Sequence, residues 1–224
     1  MIDKIPVWIN IVFIVIAICT IVFFYLSNSK PIKVTLILIA WSILHSVLAY
    51  NGFYLNTGST PPRFVIVFFP SLILIIYGCL PKNFNWIKNN RRLLSSTFLH
   101  TVRLPIEIVL FYLFLNKMIP QIMTFKGFNF DIMVGIAAPV ISILLWKKII
   151  DKKILLLFNI FGLILVLTIL SIALLSSELP IQQFAHEQPN RAINYFPFIL
   201  LPALIVPVVI YTHVTDIIRL TAIK

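Results

Sequence analysis

The chain has 224 residues and a formal net charge of +11, with 60% hydrophobic and only 11% charged residues. Soluble domains usually contain about 25% charged residues, so this composition excludes an ordinary soluble globular domain. The positive charge does not predict nucleic-acid binding. Most lysines and arginines lie in short segments between apolar runs, where flanking basic residues are typical of membrane helices.

Seven apolar stretches follow one another along the chain, and most approach the roughly 20 residues that an α-helix needs to cross a bilayer. They cover residues 5–26, 34–55, 64–80, 95–116, 131–149, 154–176 and 197–220. Unpaired backbone groups are not tolerated in lipid, so each stretch is expected to be helical. The sequence predicts an all-α fold: one polytopic transmembrane helix bundle of seven spans that takes up residues 1–224.

Lysine and arginine are distributed unevenly between the two ends of these spans. Five lie on the side of the N-terminus, including Lys4, and twelve lie on the opposite side, including Lys224. Because cytoplasmic loops carry the excess of basic residues, the count predicts an N-terminus outside and a C-terminus in the cytoplasm. The expected location is the plasma membrane, as a multi-pass protein in contact with the lipid bilayer.

The fourth span contains three ionisable residues on one helix face, His100, Arg103 and Glu107. Measured from Ser95, a rise of about 1.5 Å per residue places them roughly 8, 12 and 18 Å into the membrane. An unpaired arginine near the bilayer centre costs at least about 2.5–3.5 kcal/mol. The face therefore predicts a buried polar site. The alternative is that Arg103 and Glu107 neutralise each other and only fix helix packing.

The last span contains His213 and Asp216, three residues apart and followed by Arg219. The predicted depth of His213 overlaps that of His100, so these two histidines are candidate ligands for a metal or a haem iron, or candidate members of a proton relay. For Asp216 and Arg219, the simpler interpretation is a helix-end pair close to the lipid head groups. If the fourth and seventh spans face each other, their two polar clusters form one site.

His45 lies in the second span at a predicted depth close to that of Glu107, which makes it a further candidate for the site. The alternative for such an isolated histidine is a neutral hydrogen-bonding role in helix packing. Pro202 and Pro207 predict a bent last helix, because each proline leaves a carbonyl without its helical partner. In the loop before the fifth span, Asn129 or Asp131 is expected to cap the helix.

The sequence contains no Gly-rich nucleotide-binding loop, His-Glu-x-x-His metalloprotease pair or Gly-x-Ser-x-Gly elbow. The leading hypothesis is a membrane protein that binds or translocates a small solute or ion, with proton coupling through Glu107 and the histidines. One alternative is a membrane-embedded enzyme or electron carrier that binds a metal or haem through His100 and His213. Another is a structural or assembly protein without a site.

Overall fold

A computed structural model describes residues 2, 5–59 and 61–222, which form α-helices, short 3₁₀ turns and one π-helical segment, and no strand in these ranges. Lys4 and Lys224, which entered the charge count, lie outside the described residues. The α-helices are α1 Val7–Ser27, α2 Ile32–Tyr50, α3 Val65–Gly78, α4 Phe84–Asn90, α5 Leu93–Leu99, α6 Arg103–Leu115, α7 Asp131–Trp146, α8 Lys152–Leu175 and α9 Val206–Ala222.

Among the described residues, five helices are long and apolar enough to cross a membrane. Three of them are α1, α2 and α8. The fourth is Leu93–Leu115, in which α5 and α6 continue through a 3₁₀ turn, and the fifth is Leu201–Ala222, in which a π-helical segment leads into α9. The predicted all-helical membrane architecture is therefore confirmed at this coarser level, whereas seven spans and their orientation remain predictions.

The third and fifth predicted spans differ most from the expected helices. α3 ends at Gly78, and the chain bends by 58° before it continues as Pro81–Asn90. α7 has 16 residues, which corresponds to about 24 Å of helix, less than the roughly 30 Å of a hydrocarbon core. The sequence pattern showed where these apolar runs lie but not that the helices stop early.

α7 is short because it begins inside the bundle. Its first residue, Asp131, forms an ion pair with Arg103, which lies near the middle of the helix Leu93–Leu115. The preceding segment folds back from the end of α6 to that level and buries Met123, Thr124 and Asn129. Irregular backbone at membrane depth is tolerated where it is enclosed by protein, and this segment meets that condition.

The helix Leu201–Ala222 lies at the centre of the molecule. Of its most apolar 18-residue stretch, 61% is buried, compared with 17% for the corresponding stretch of α2. It packs along α8 and also contacts α3, α4 and α5, while α7 packs against α5 and α6. Pro202 and Pro207 were expected to bend this helix; Pro202 lies in the π-helical segment Leu201–Ile205 and Pro207 in the first turn of α9. Polar residues on α6, α8 and α9 consequently meet at one level in the interior.

Candidate functional site

Arg103 is the centre of a buried polar network. Its Nε donates to Oδ2 of Asp131 at 2.9 Å, and its Nη2 donates to Oδ1 of the same carboxylate, which makes the pair bidentate. Nη1 and Nη2 also donate to the carbonyl oxygen of Gly162 at 3.3 Å. Arg103 and Asp131 are 2% and 7% exposed. The guanidinium charge is thus neutralised by a carboxylate from α7, and the alternative pairing of Arg103 with Glu107 is wrong.

His213 joins this network from α9. Its Nε2 lies 3.1 Å from Nη1 of Arg103, and its Nδ1 lies 3.0 Å from Oδ1 of Asn159. Because arginine can only donate, Nε2 is the acceptor and Nδ1 carries the proton, so the partners define a neutral imidazole. A Cβ on Gly162 would lie 2.7 Å from Nε2. The absence of a side chain at Gly162 is what lets the ring approach Arg103.

The imidazole ring of His100 stacks on the ring of His213. The two imidazole rings stack with centroids 3.8 Å apart and planes 8° from parallel, and Phe158 contacts both rings edge-on. Neither ring nitrogen of His100 has a hydrogen-bond partner among the residues that the structure describes, although His100 is fully buried. The stack therefore places an imidazole whose hydrogen-bonding groups are unused next to one whose groups are all used.

This geometry does not fit a metal or haem iron held by His100 and His213. The lone pairs of two parallel rings lie in separate planes and do not converge on one ion, and both nitrogens of His213 already have partners. Within residues 5–59 and 61–222, no group of three or more His, Cys, Asp or Glu side chains is placed to hold a metal. The structure gives no support to the metal- or haem-binding alternative at this pair.

Glu107 lies one turn further along α6 and has a different partner. Its Oε1 accepts a 2.6 Å hydrogen bond from Nδ2 of Asn129, whose Oδ1 in turn accepts the backbone N–H of Asp131 at 3.1 Å. The second carboxyl oxygen, Oε2, is buried and accepts no hydrogen bond from residues 5–59 or 61–222. Glu107 is 2% exposed, so it is a buried acid with half of its bonding capacity unused.

A cavity of about 70 Å³ borders this part of the network. Arg103, Glu107, Asn129 and Asp131 form its polar end, and the remaining wall is mostly apolar, with side chains from α6, α8 and the last helix. Asn190 also lines the cavity, and its Oδ1 is buried without a hydrogen-bond partner. Two unpartnered oxygen acceptors therefore belong to residues that line the same space.

Asp216 belongs to a second buried cluster. Its Oδ1 accepts from Nε of Arg91 at 2.6 Å, and its Oδ2 accepts from the Ser96 hydroxyl at 2.5 Å. Arg91 also donates to Oδ1 of Asn28 at 2.9 Å and to the Thr212 carbonyl at 3.3 Å. The expected helix-end pair with Arg219 is therefore corrected: Asp216 faces inward. Arg91, which the orientation count treated as a loop charge, is buried.

His45 belongs to a third, separate cluster. Its Nδ1 is hydrogen-bonded to the Tyr54 hydroxyl, and the Trp41 ring contacts it edge-on with centroids 4.2 Å apart. The residue is fully buried. This arrangement matches a hydrogen-bonding role in packing between α2 and the turn that follows it.

Of the six candidate residues, the structure brings His100, Arg103, Glu107 and His213 to one centre, and it places Asp216 and His45 elsewhere. Sequence reasoning missed Asp131 and Asn129 as members of the centre because both were interpreted only as helix caps. The available signal was chemical: a buried arginine requires an acidic partner, and Asp131 is the acid at the start of the next apolar stretch.

These features define a membrane-type helical bundle with a buried polar centre. Residues 60–221 match the family described as Domain of unknown function (DUF8737), and the chain belongs to that family. The matched range includes the Arg103 network and the Arg91–Asp216 pair, whereas His45 and Tyr54 precede it. No curated protein and no solved structure matches the chain.

Proposed function

We propose that this protein binds a small cationic solute beside Glu107 and moves it across the membrane in exchange for a proton. The proposal includes a plasma-membrane location with the N-terminus outside. In the proposed topology the five long helices each cross the membrane once. The bent pair α3–α4 and the short α7 provide the other two of seven crossings.

The observation that carries the proposal is the charge balance around Glu107. Arg103 and Asp131 neutralise each other through a bidentate pair, so Glu107 has no remaining cationic partner in its network. An uncompensated buried carboxylate costs several kcal/mol. Glu107 therefore holds either a proton or a bound cation, and one ligand displaces the other.

The cavity supports this exchange by providing space and acceptors. Its volume of about 70 Å³ holds several groups the size of a water molecule. Oε2 of Glu107 and Oδ1 of Asn190 are both unpartnered acceptors. Two such oxygens are too few to coordinate a hard metal ion, which takes six or more oxygen ligands, and an anion has no donor for them, whereas the N–H groups of a cation can donate to both. A nitrogen-based cation is the ligand class that matches this set.

His213 has a positioning role in this proposal. Its nitrogens are held by Arg103 and Asn159 at 3.1 and 3.0 Å, so the ring fixes the guanidinium against Asp131 and does not need to change protonation. This differs from a relay in which both histidines carry the proton. The proton that exchanges with the solute is placed on Glu107.

The test uses guanidinium, a small cation with several N–H donors that stays charged and does not cross lipid unaided. Purified protein is reconstituted into vesicles that contain a pH indicator dye, and guanidinium is added outside. The wild type should release protons from the vesicle interior as guanidinium enters. Glu107→Gln should abolish this signal, because the amide cannot exchange a proton.

Glu187→Gln is the matched control, since Glu187 is an exposed glutamate outside the network and its loss should not change the flux. Equal proton flux in the wild type and in Glu107→Gln would contradict the proposal. The absence of guanidinium-dependent flux in the wild type, together with no guanidinium binding to the purified protein, would contradict it as well.

A further inference from the structure

We infer that the cationic solute is an amphiphile that reaches the cavity sideways from the bilayer, along an apolar groove between α3 and the last helix. This inference rests on the proposed function, because it assigns the charged head of the same solute to Glu107. It adds a short hydrocarbon chain to that solute and a lateral route through which it arrives.

The groove lies beside the cavity and shares part of its wall. Its α3 side is formed by Ser71, Leu72 and Ile75, and its other side includes Pro207 and Ile210 of α9. Three further residues, Leu170, Pro202 and Val206, line both the groove and the cavity. The two spaces are thus separated by no more than one layer of side chains.

The chemistry of the groove is suitable for hydrocarbon. The hydroxyl group of Ser71 donates to the Val67 carbonyl at 3.0 Å within α3, so its proton is not available to a ligand. The rest of the lining is aliphatic or proline. On the neighbouring surface of α3, Ile73 and Leu74 are 62% and 54% exposed, as expected for side chains that contact lipid tails. The groove is therefore continuous with a lipid-facing helix surface.

The polar residues that line the cavity require a ligand head that is positively charged and bears N–H donors. Glu107 and Asn190 have unpartnered buried oxygens, and Arg103 has no charge left to neutralise a carboxylate. An apolar molecule would leave these oxygens unsatisfied, and an anionic lipid head would add a second uncompensated negative charge. An alkyl chain with a cationic, N–H-bearing head satisfies both ends.

The π-helical segment Leu201–Ile205 forms the boundary between the two spaces. Pro202 lies in this segment and lines both of them, and Leu201 and Ile205 line the cavity. Such π-turns are less regular than α-helix and frequently occur at functional sites. In this protein the segment places the shared wall at a point where the backbone already deviates from the α-helical hydrogen-bond pattern.

The experiment compares guanidinium with butylguanidinium, which has the same head and a four-carbon chain. Protein in lipid nanodiscs is loaded with radiolabelled guanidinium, and each unlabelled compound is used as a competitor. For the wild type we expect butylguanidinium to compete about tenfold better or more, as partial burial of its four-carbon chain implies.

Leu72→Trp and Ile75→Trp fill the groove from α3, and Leu74→Trp adds the same side chain on the lipid-facing surface as a control. Both groove variants should bind guanidinium like the wild type and should lose the advantage of butylguanidinium, whereas Leu74→Trp should keep it. Leu72 lies at the rim and is 36% exposed, so its variant preserves the test if Ile75→Trp fails to fold.

Three results would overturn the inference. Equal competition by both compounds in the wild type, with both weakened by Glu107→Gln, would remove the lateral groove and leave the proposed function intact. If Leu74→Trp lost the advantage of butylguanidinium as fully as the groove variants do, the groove would not be the binding site of the alkyl chain. No effect of Glu107→Gln on either compound would overturn the proposed function and this inference together.

Discussion

The buried pair of Arg91 and Asp216 offers the sharpest test of the energetics of this fold. Nε of Arg91 lies 2.6 Å from Oδ1 of Asp216, and both side chains have 0% exposure. Asp216→Leu removes the carboxylate and leaves the guanidinium buried without its counter-charge. Because breaking one side of a buried pair costs about 3–5 kcal/mol, the equilibrium constant for folding should fall by roughly 10²- to 10⁴-fold.

The chain contains a matched pair that differs mainly in exposure. Nε of Arg191 lies 2.7 Å from Oε1 of Glu178, but the side chains are 51% and 33% exposed. An exposed ion pair contributes about 0–1 kcal/mol. Glu178→Leu should therefore have a small effect on stability, even though it removes an ion pair with the same donor atom and nearly the same length.

The assay is reversible unfolding in mixed micelles with increasing dodecyl sulfate, which gives the free energy of unfolding of each variant. A double variant, Arg91→Met with Asp216→Leu, should recover most of the loss, because no charge remains buried without a partner. If Asp216→Leu and Glu178→Leu have equal effects, or if the double variant is less stable than Asp216→Leu alone, the reasoning from burial is refuted.

Three further predictions concern the Arg103 centre. Gly162→Ala should lower the free energy of unfolding by about 1–3 kcal/mol, because the new methyl group would lie 2.7 Å from Nε2 of His213; Gly58→Ala, whose new methyl group would lie 4.0 Å from Oδ1 of Asn56, is the control. His100→Phe should keep the ring stack, remove two unpartnered nitrogens and leave stability unchanged or higher in the same assay. Guanidinium binding should release one proton from Glu107 for each cation bound, which calorimetry in buffers of different ionisation enthalpy measures.

Each of these three has a clear contrary result. A Gly162→Ala variant as stable as Gly58→Ala would show that the contact with His213 relaxes without cost. Strong destabilisation by His100→Phe would show that its ring nitrogens have partners in the folded protein. Binding without proton release would mean that Glu107 is already ionised before the cation arrives, so affinity would not increase with pH.

The sequence predicted the membrane class and the inward direction of the ionisable face. His100, Arg103 and Glu107 share that face because helical periodicity is local, and their cost in lipid requires an enclosed environment. Periodicity does not identify partners on other helices. For Arg103 the nearest acid in sequence was Glu107, but the structure uses Asp131, 28 positions away.

The same limit explains the error at Arg91. In sequence it stands in a basic loop with Arg92, a pattern typical of a cytoplasmic boundary, and its partner Asp216 is 125 positions away. The end of α7 was also misjudged. The predicted span continued across Lys147 and Lys148 to Ile149, whereas α7 ends at Trp146. The predicted start at residue 131 agrees with the structure, but its position beside Arg103, inside the bundle, is a tertiary feature that no local pattern encodes.

The separation of Arg91 from Asp216 has a consequence for synthesis of the protein. Ribosomes add about 5–20 residues per second, so the arginine emerges several seconds before the aspartate that will neutralise it. During that interval the N-terminal half cannot bury Arg91 without a large cost and must hold it near water. The part of the bundle around Arg91 can therefore close only after the helix that carries Asp216 has been inserted. Insertion of that helix is then the last step of assembly.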